Sequence, residues 1–166
     1  MKVHEVYRHP VKTCTPVTSL DAVGKIMWEG DCGAVPVVDS EGKALGILTD
    51  RDLAMAMAAK NRGSAQIIVR ELTSEKLFSC TPDDDVAAAL KTMQARKVRR
   101  LPVVDAQGQL LGLLSLKDIA LAAKPGSGLG SGDVSHDDIA LTMQAVCKRL
   151  EGGERPKWPW VNAASR

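Results

Sequence analysis

The sequence predicts an α+β fold: two tandem β-α-β-β-α repeats packed by their sheets with pseudo-twofold symmetry, followed by a C-terminal helix. Three observations carry this expectation. Residues Thr15 to Ala56 return without a gap as Thr81 to Ala122. The register is pinned by Pro36, Asp39, Gly42, Gly46 and Asp52, which recur 66 positions later as Pro102, Asp105, Gly108, Gly112 and Asp118. Within each copy, short β-branched runs alternate with segments of helical periodicity. A copy of roughly 60 residues is too small to be comfortably stable alone, so two copies are expected to share a core.

The elements follow in order. Val3, Glu5, Val6 and Val11 match Val69, Glu71, Leu72 and Leu77, so each copy is expected to open with a strand. Cys14 and Cys80 hold equivalent places in it, and each strand ends at Thr-Pro, where proline biases its predecessor toward extended backbone. A helix comes next. In the first copy Thr18 or Ser19 caps it, and Leu20, Val23 and Met27 share a face. In the second, Asp84 or Asp85 caps it, with Val86, Leu90 and Met93 as the stripe. The run Asp83-Asp84-Asp85 reads as first-turn acids complementing the helix dipole, not as a cation site.

The runs Val35-Pro36-Val37-Val38 and Leu101-Pro102-Val103-Val104 then begin a hairpin in each copy. Asp39 to Gly42 and Asp105 to Gly108 form the turns, with aspartate bonding back to the backbone and glycine at positive φ. Gly46 and Gly112, inside the return strands, predict close approach of another group to the backbone. A second helix follows from Asp52 to about Ala59, and from Asp118 to about Ala123. The boundaries expected are 1–62 and 63–124 for the repeats, 125–134 for a Gly/Ser linker, and 135–166 for a helix and tail. In that helix Ser135 is the cap and Ile139, Met143, Val146 and Leu150 recur at helical intervals; Trp158 and Trp160 follow in the tail.

Composition narrows the function. The chain of 166 residues is 45% hydrophobic and 25% charged, ordinary for a globular protein. Its net charge of +2 gives no whole-molecule case for nucleic acid. Apolar runs fall short of the roughly 20 residues that cross a bilayer, and the N-terminus lacks the apolar stretch of a secretory signal. A cytoplasmic location is expected. Cys14, Cys32, Cys80 and Cys147 show no metal or redox spacing, and His4 and His9 fit no common zinc pattern, so free thiols and no metal site are expected. No H-E-x-x-H, G-x-S-x-G or phosphate-loop spacing occurs, and Pro125 to Gly132 is a linker; the chain is not expected to be an enzyme.

The hairpins and the runs Gly46-Ile47-Leu48-Thr49-Asp50-Arg51-Asp52 and Gly112-Leu113-Leu114-Ser115-Leu116-Lys117-Asp118 resemble the cystathionine-β-synthase (CBS) domain. Two in tandem resemble the nucleotide-sensing pair known as a Bateman module. In their own right, Thr49 with Asp52 and Ser115 with Asp118 suit a helix-capping box. The same helix start also suits a phosphate, with the carboxylate free to accept a ribose diol. The resemblance favours the second use and implies a regulatory module that binds adenosine nucleotides between its copies. It places Ser115 and Asp118 opposite Cys32, Gly33 and Ala34 at one site, and Thr49 and Asp52 opposite Val98, Arg99 and Arg100 at the other. Arg99 and Arg100 stand where energy-sensing relatives carry basic groups toward phosphate, whereas the first copy has Gly33 and Ala34, so two unequal sites are expected, the stronger at Asp118. The implied ligand is AMP, ADP or ATP, with S-adenosylmethionine and NAD as further members of the class; no cofactor is required. A homodimer and a protein target not named by the sequence complete the expectation. The alternative is a ligand-free interaction module in which Asp52 and Asp118 only cap helices.

Overall fold

The computed structural model describes residues 1–73, 77–126 and 133–148. It forms two compact units whose limits differ from the repeat boundaries expected at 62/63 and 124. One unit is built from Val11–Leu77, and the other joins Met1–Pro10 to the described chain from Phe78 to Lys148. Each repeat's opening segment therefore completes the other repeat's unit. The reason is hydrophobic: Val3 lies in one core with Val86, Leu90, Met93, Leu101 and Leu114. Its counterpart Val69 lies in the other with Leu20, Val23, Val35 and Leu48.

In the first unit, α1 (Leu20–Glu29) buries Leu20, Val23 and Met27, the stripe expected from sequence. It is followed by β1 (Ala34–Val38), β2 (Ala44–Thr49) and α2 (Asp50–Lys60). The two strands pair antiparallel, with Ala34 opposite Thr49, Val37 opposite Gly46, and a register shift between Val37 and Val38. The Asp39 carboxylate accepts from the amides of Glu41 and Lys43, both at 2.9 Å, and Gly42 has φ of 86°. That is the Asp-x-x-Gly turn in physical form.

The second unit repeats this order as α3 (Val86–Arg96), β3 (Arg100–Val104), β4 (Leu110–Ser115) and α4 (Leu116–Ala122), then adds α5 (His136–Cys147). Asp105 and Gly108 rebuild the same turn. Ser135 caps α5 as expected. Its buried positions, however, are Asp138 and Thr142, with Ile139 only partly buried and Met143 exposed. The contact with α3 includes a polar bond, Gln94 Nε2 donating to Thr142 Oγ1 at 2.7 Å, beside the expected Ile139, which packs on the core. Leu150, Trp158 and Trp160 lie outside the described residues, as does most of the Gly/Ser linker.

The opening strands are a correction. Val3–Glu5 and Val69–Glu71 are short 3₁₀ turns, and the opening segments keep only isolated bridges among the described residues: Cys14 and Cys80 parallel to Val37 and Val103, and Lys2, Arg8 and Ile68 antiparallel to Asp85, Leu113 and Ser19. Prolines explain the brevity. The Cys14 amide donates to Pro36 at 3.0 Å and its carbonyl accepts from Val38 at 2.9 Å. The next bond in each direction would need an N–H from Pro16 or Pro36, and proline has none. Pro82 and Pro102 end the Cys80 bridge in the same way. Burial pushes the Cys14 thiol up to about 11 and Cys80 to about 12, the latter helped by Asp84.

The N-caps of the first helices also work differently from expectation. The Ser19 hydroxyl donates to Asp21 at 2.5 Å instead of accepting from the helix. Asp85 precedes α3, but its carboxylate faces Lys2 Nζ at 2.9 Å. Lys2 brings the missing cation to the acidic run from the exchanged N-terminal segment.

Candidate functional site

Each unit presents a helix start built from a hydroxyl residue and an aspartate three positions later. In the first, Thr49 ends β2 and caps α2. Asp52 Oδ2 accepts from the Thr49 amide at 2.8 Å and from its hydroxyl at 2.6 Å, while the Asp52 amide donates back to Thr49 Oγ1 at 3.3 Å. Hairpin register sets Ala34 opposite Thr49, and the Gly33 carbonyl accepts from the Asp50 amide at 3.3 Å. An open groove of about 430 Å³ adjoins this corner, lined by Cys32, Gly33 and Asp50 together with Trp28 and Leu53. Cys32, Gly33, Ala34, Thr49 and Asp52 are thus neighbours within one unit.

The second helix start has the same skeleton. Asp118 Oδ2 accepts from the Ser115 amide at 3.1 Å and also from the Ser115 hydroxyl. Arg100 stands opposite Ser115, and the Arg99 carbonyl accepts from the Leu116 amide at 2.9 Å, matching Gly33 and Asp50 in the other unit. Val98 is partly buried against the core there. Val98, Arg99, Arg100, Ser115 and Asp118 form the second neighbourhood.

One residue in this neighbourhood has no counterpart in the sequence repeat. Arg8 Nε donates to Asp118 Oδ1 at 2.6 Å, and the Asp118 side chain is only 7% exposed against 61% for Arg8. Arg8 is held in place because its backbone pairs with Leu113, amide to carbonyl in both directions at 3.0 and 3.1 Å. The position 66 residues later is Ser74, so no repeat signal pointed to it. Among the described residues, Asp52 has no such cation and its Oδ1 carries no hydrogen bond. A third helix start, Ser135 with Asp138, has the same reciprocal bonds. The box is therefore first a capping device, and what distinguishes the three is the chemistry around them.

The CBS domain family matches residues 3–59 and again 69–124. The chain belongs to the CBS domain family. It is 34% identical to the CBS domain-containing protein YhcV of Bacillus subtilis, over 78% of this chain and 91% of that one. It is 31% identical to the uncharacterized protein MK0525 of Methanopyrus kandleri over 72% of this chain, which spans 61% of that relative. An inosine-5′-monophosphate dehydrogenase of Aquifex aeolicus is 29% identical over 80% of this chain, but only 29% of the dehydrogenase is spanned. Among solved structures, CBSX2 in complex with AMP aligns with a TM-score of 0.62 at 25% identity, covering 73% of this chain and 94% of that one. The CBS domain pair of MJ0100, in complex with 5′-methylthioadenosine and S-adenosyl-L-methionine, aligns with a TM-score of 0.65 at 25% identity, covering 73% and 98%. Among the described residues no helix is long and apolar enough to cross a membrane, and no three His, Cys, Asp or Glu side chains converge on a metal position.

Proposed function

We propose that this chain is a regulatory module that binds an adenosine nucleotide at its helix-start boxes and signals by favouring one conformation, in the cytoplasm and as a homodimer. The observation that carries the proposal is the Asp52 box. Its carboxylate is anchored through Oδ2, while Oδ1 is left to accept from a ribose diol beside the Gly33–Ala34 backbone. CBS relatives of this fold have been solved with AMP and with adenosyl ligands. A ligand of that class shifts the module only insofar as it prefers one arrangement to another.

The experiment is a thermal-shift panel of AMP, ADP, ATP, S-adenosylmethionine and NAD on the full chain. A ligand at about 100 times its dissociation constant adds about 2.7 kcal/mol, which for a protein of this size is a rise of about 5–10 °C. No rise with any of the five would overturn the proposal. A second reading, a ligand-free interaction module, is favoured by the exposed Trp28, at 88%, on α1. Sedimentation with and without nucleotide, read beside the thermal panel, separates the two: a dimer stabilised by nucleotide supports the sensor, and a dimer that no nucleotide stabilises supports the scaffold.

A further inference from the structure

We infer that Arg8 is an anion-recognising residue of the second box, held in position by Asp118, so that this box binds a phosphate or pyrophosphate group through the Arg8 guanidinium. The inference rests on reading the second box as a ligand site. Asp118 is poorly placed to accept a sugar. One of its oxygens is used by Ser115 and the other by Arg8, and it is almost wholly buried. What the box turns outward is a guanidinium. Arg8 engages Asp118 through Nε alone, and among the described residues its two η nitrogens have no partner. Those nitrogens carry four of the five guanidinium N–H donors, in the fork that matches two phosphate oxygens.

The surrounding charge points the same way. Arg8 is bonded to Asp118, Arg100 stands opposite Ser115, the Arg99 carbonyl accepts from the Leu116 amide, and Lys117 precedes Asp118 in α4. The corresponding positions around the first helix start hold Gly33, Ala34 and Arg51, with Asp50 and Asp52 as acids. Among the described residues neither Arg99 nor Arg100 is in an ion pair. The sequence around the Asp118 helix start is thus more basic than that around the Asp52 helix start. Arg99 and Arg100 attract the anion, and Arg8, fixed by its carboxylate and by the Leu113 backbone, sets its geometry.

The test is calorimetric titration of the full chain with inorganic pyrophosphate and with adenosine, in wild type, Arg8→Gln, Arg8→Lys and Asp118→Asn. Pyrophosphate binds the wild type, Arg8→Gln weakens it at least tenfold, and Arg8→Lys, which keeps charge without the fork, falls between. Adenosine affinity stays within twofold in all three variants. Arg8→Lys and the thermal midpoint of each variant separate loss of recognition from loss of folding. The inference is overturned if pyrophosphate does not bind the wild type, if Arg8→Gln leaves its affinity unchanged, or if Arg8→Gln tightens adenosine, since Arg8 would then be a plug over a sugar-binding carboxylate. Pyrophosphate binding that depends on Arg8, with no adenosine binding at all, would sink the adenosine reading and leave Arg8 standing.

Discussion

Replacing Gly112 by alanine should detach the N-terminal segment from the second unit, and Gly46→Ala, at the equivalent position, should not. A Cβ at Gly112 would lie 2.3 Å from the Arg8 carbonyl oxygen and 2.5 and 2.6 Å from two Tyr7 ring carbons. Ordinary contact begins about 1 Å farther out, and a backbone carbonyl cannot swing aside as a side-chain tip can. The segment must move, losing the two Arg8–Leu113 backbone bonds at about 0.5–1.5 kcal/mol each. Displacing Arg8 also strips a buried carboxylate of its cation, at about 1–3 kcal/mol. The sum is about 2–6 kcal/mol, against a gain of about 0.5–1 kcal/mol from replacing glycine in the unfolded chain. Among the described residues a Cβ at Gly46 meets Thr73 alone, its methyl at 3.4 Å and its Cβ at 3.8 Å, so that change is expected to cost less than Gly112→Ala. Urea unfolding of both variants measures the difference, with unchanged m confirming a common transition. Equal effects for the two, both below about 1 kcal/mol, would refute the seating of Met1–Pro10 on β4.

Four further outcomes follow from the same geometry. Cys14 and Cys80 should resist a thiol reagent in the native protein while Cys147, exposed, reacts at once; four equally fast thiols would contradict the buried bridges. Because those two thiols are raised in the folded state, their contribution is intact below the unfolded value near 9 and is lost as pH rises from there through the folded values, on the order of 1 kcal/mol each by pH 10. Urea unfolding at pH 8 and pH 10 should show the loss, flattened in Cys14→Ala with Cys80→Ala. Burial pushes the Glu71 carboxyl up, but the Ile68 amide, Lys60 and Arg62 outweigh it and hold it below the usual range. Its stabilisation is present above the unfolded value near 4.5 and fades as pH falls through the lower folded value, so Glu71→Gln should flatten the acid limb of a stability profile. Ser135→Ala should cost about 1–2 kcal/mol through the lost α5 cap and the buried Asp138 it serves, read by thermal unfolding.

The frame was legible in the sequence because repeated residues impose repeated geometry. The hairpins, the Asp39 and Asp105 turns, the apolar stripes of α1 and α3, and the hydroxyl-to-aspartate boxes all lie where spacing put them. The short opening strands could have been read from Pro16, Pro36, Pro82 and Pro102, since a parallel ladder fails wherever a needed N–H is absent. Three features were not legible for physical reasons. Exchange of the opening segments depends on which core each valine fills, and Val3 and Val69 are alike in sequence. Arg8 lies outside the repeat's matched positions, so comparing the copies could not reveal it. The face of α5 was misjudged because Asp138 and Thr142 are buried by their own hydrogen bonds, which hydrophobic periodicity does not register.

The most direct test of nucleotide sensing is calorimetry of the full chain with AMP and with 2′-deoxy-AMP, in wild type and in Asp52→Asn. The account predicts saturable AMP binding, weaker binding of the deoxy ligand, and loss of that discrimination in Asp52→Asn. No heat with AMP in the wild type, or discrimination that survives in Asp52→Asn, would contradict it.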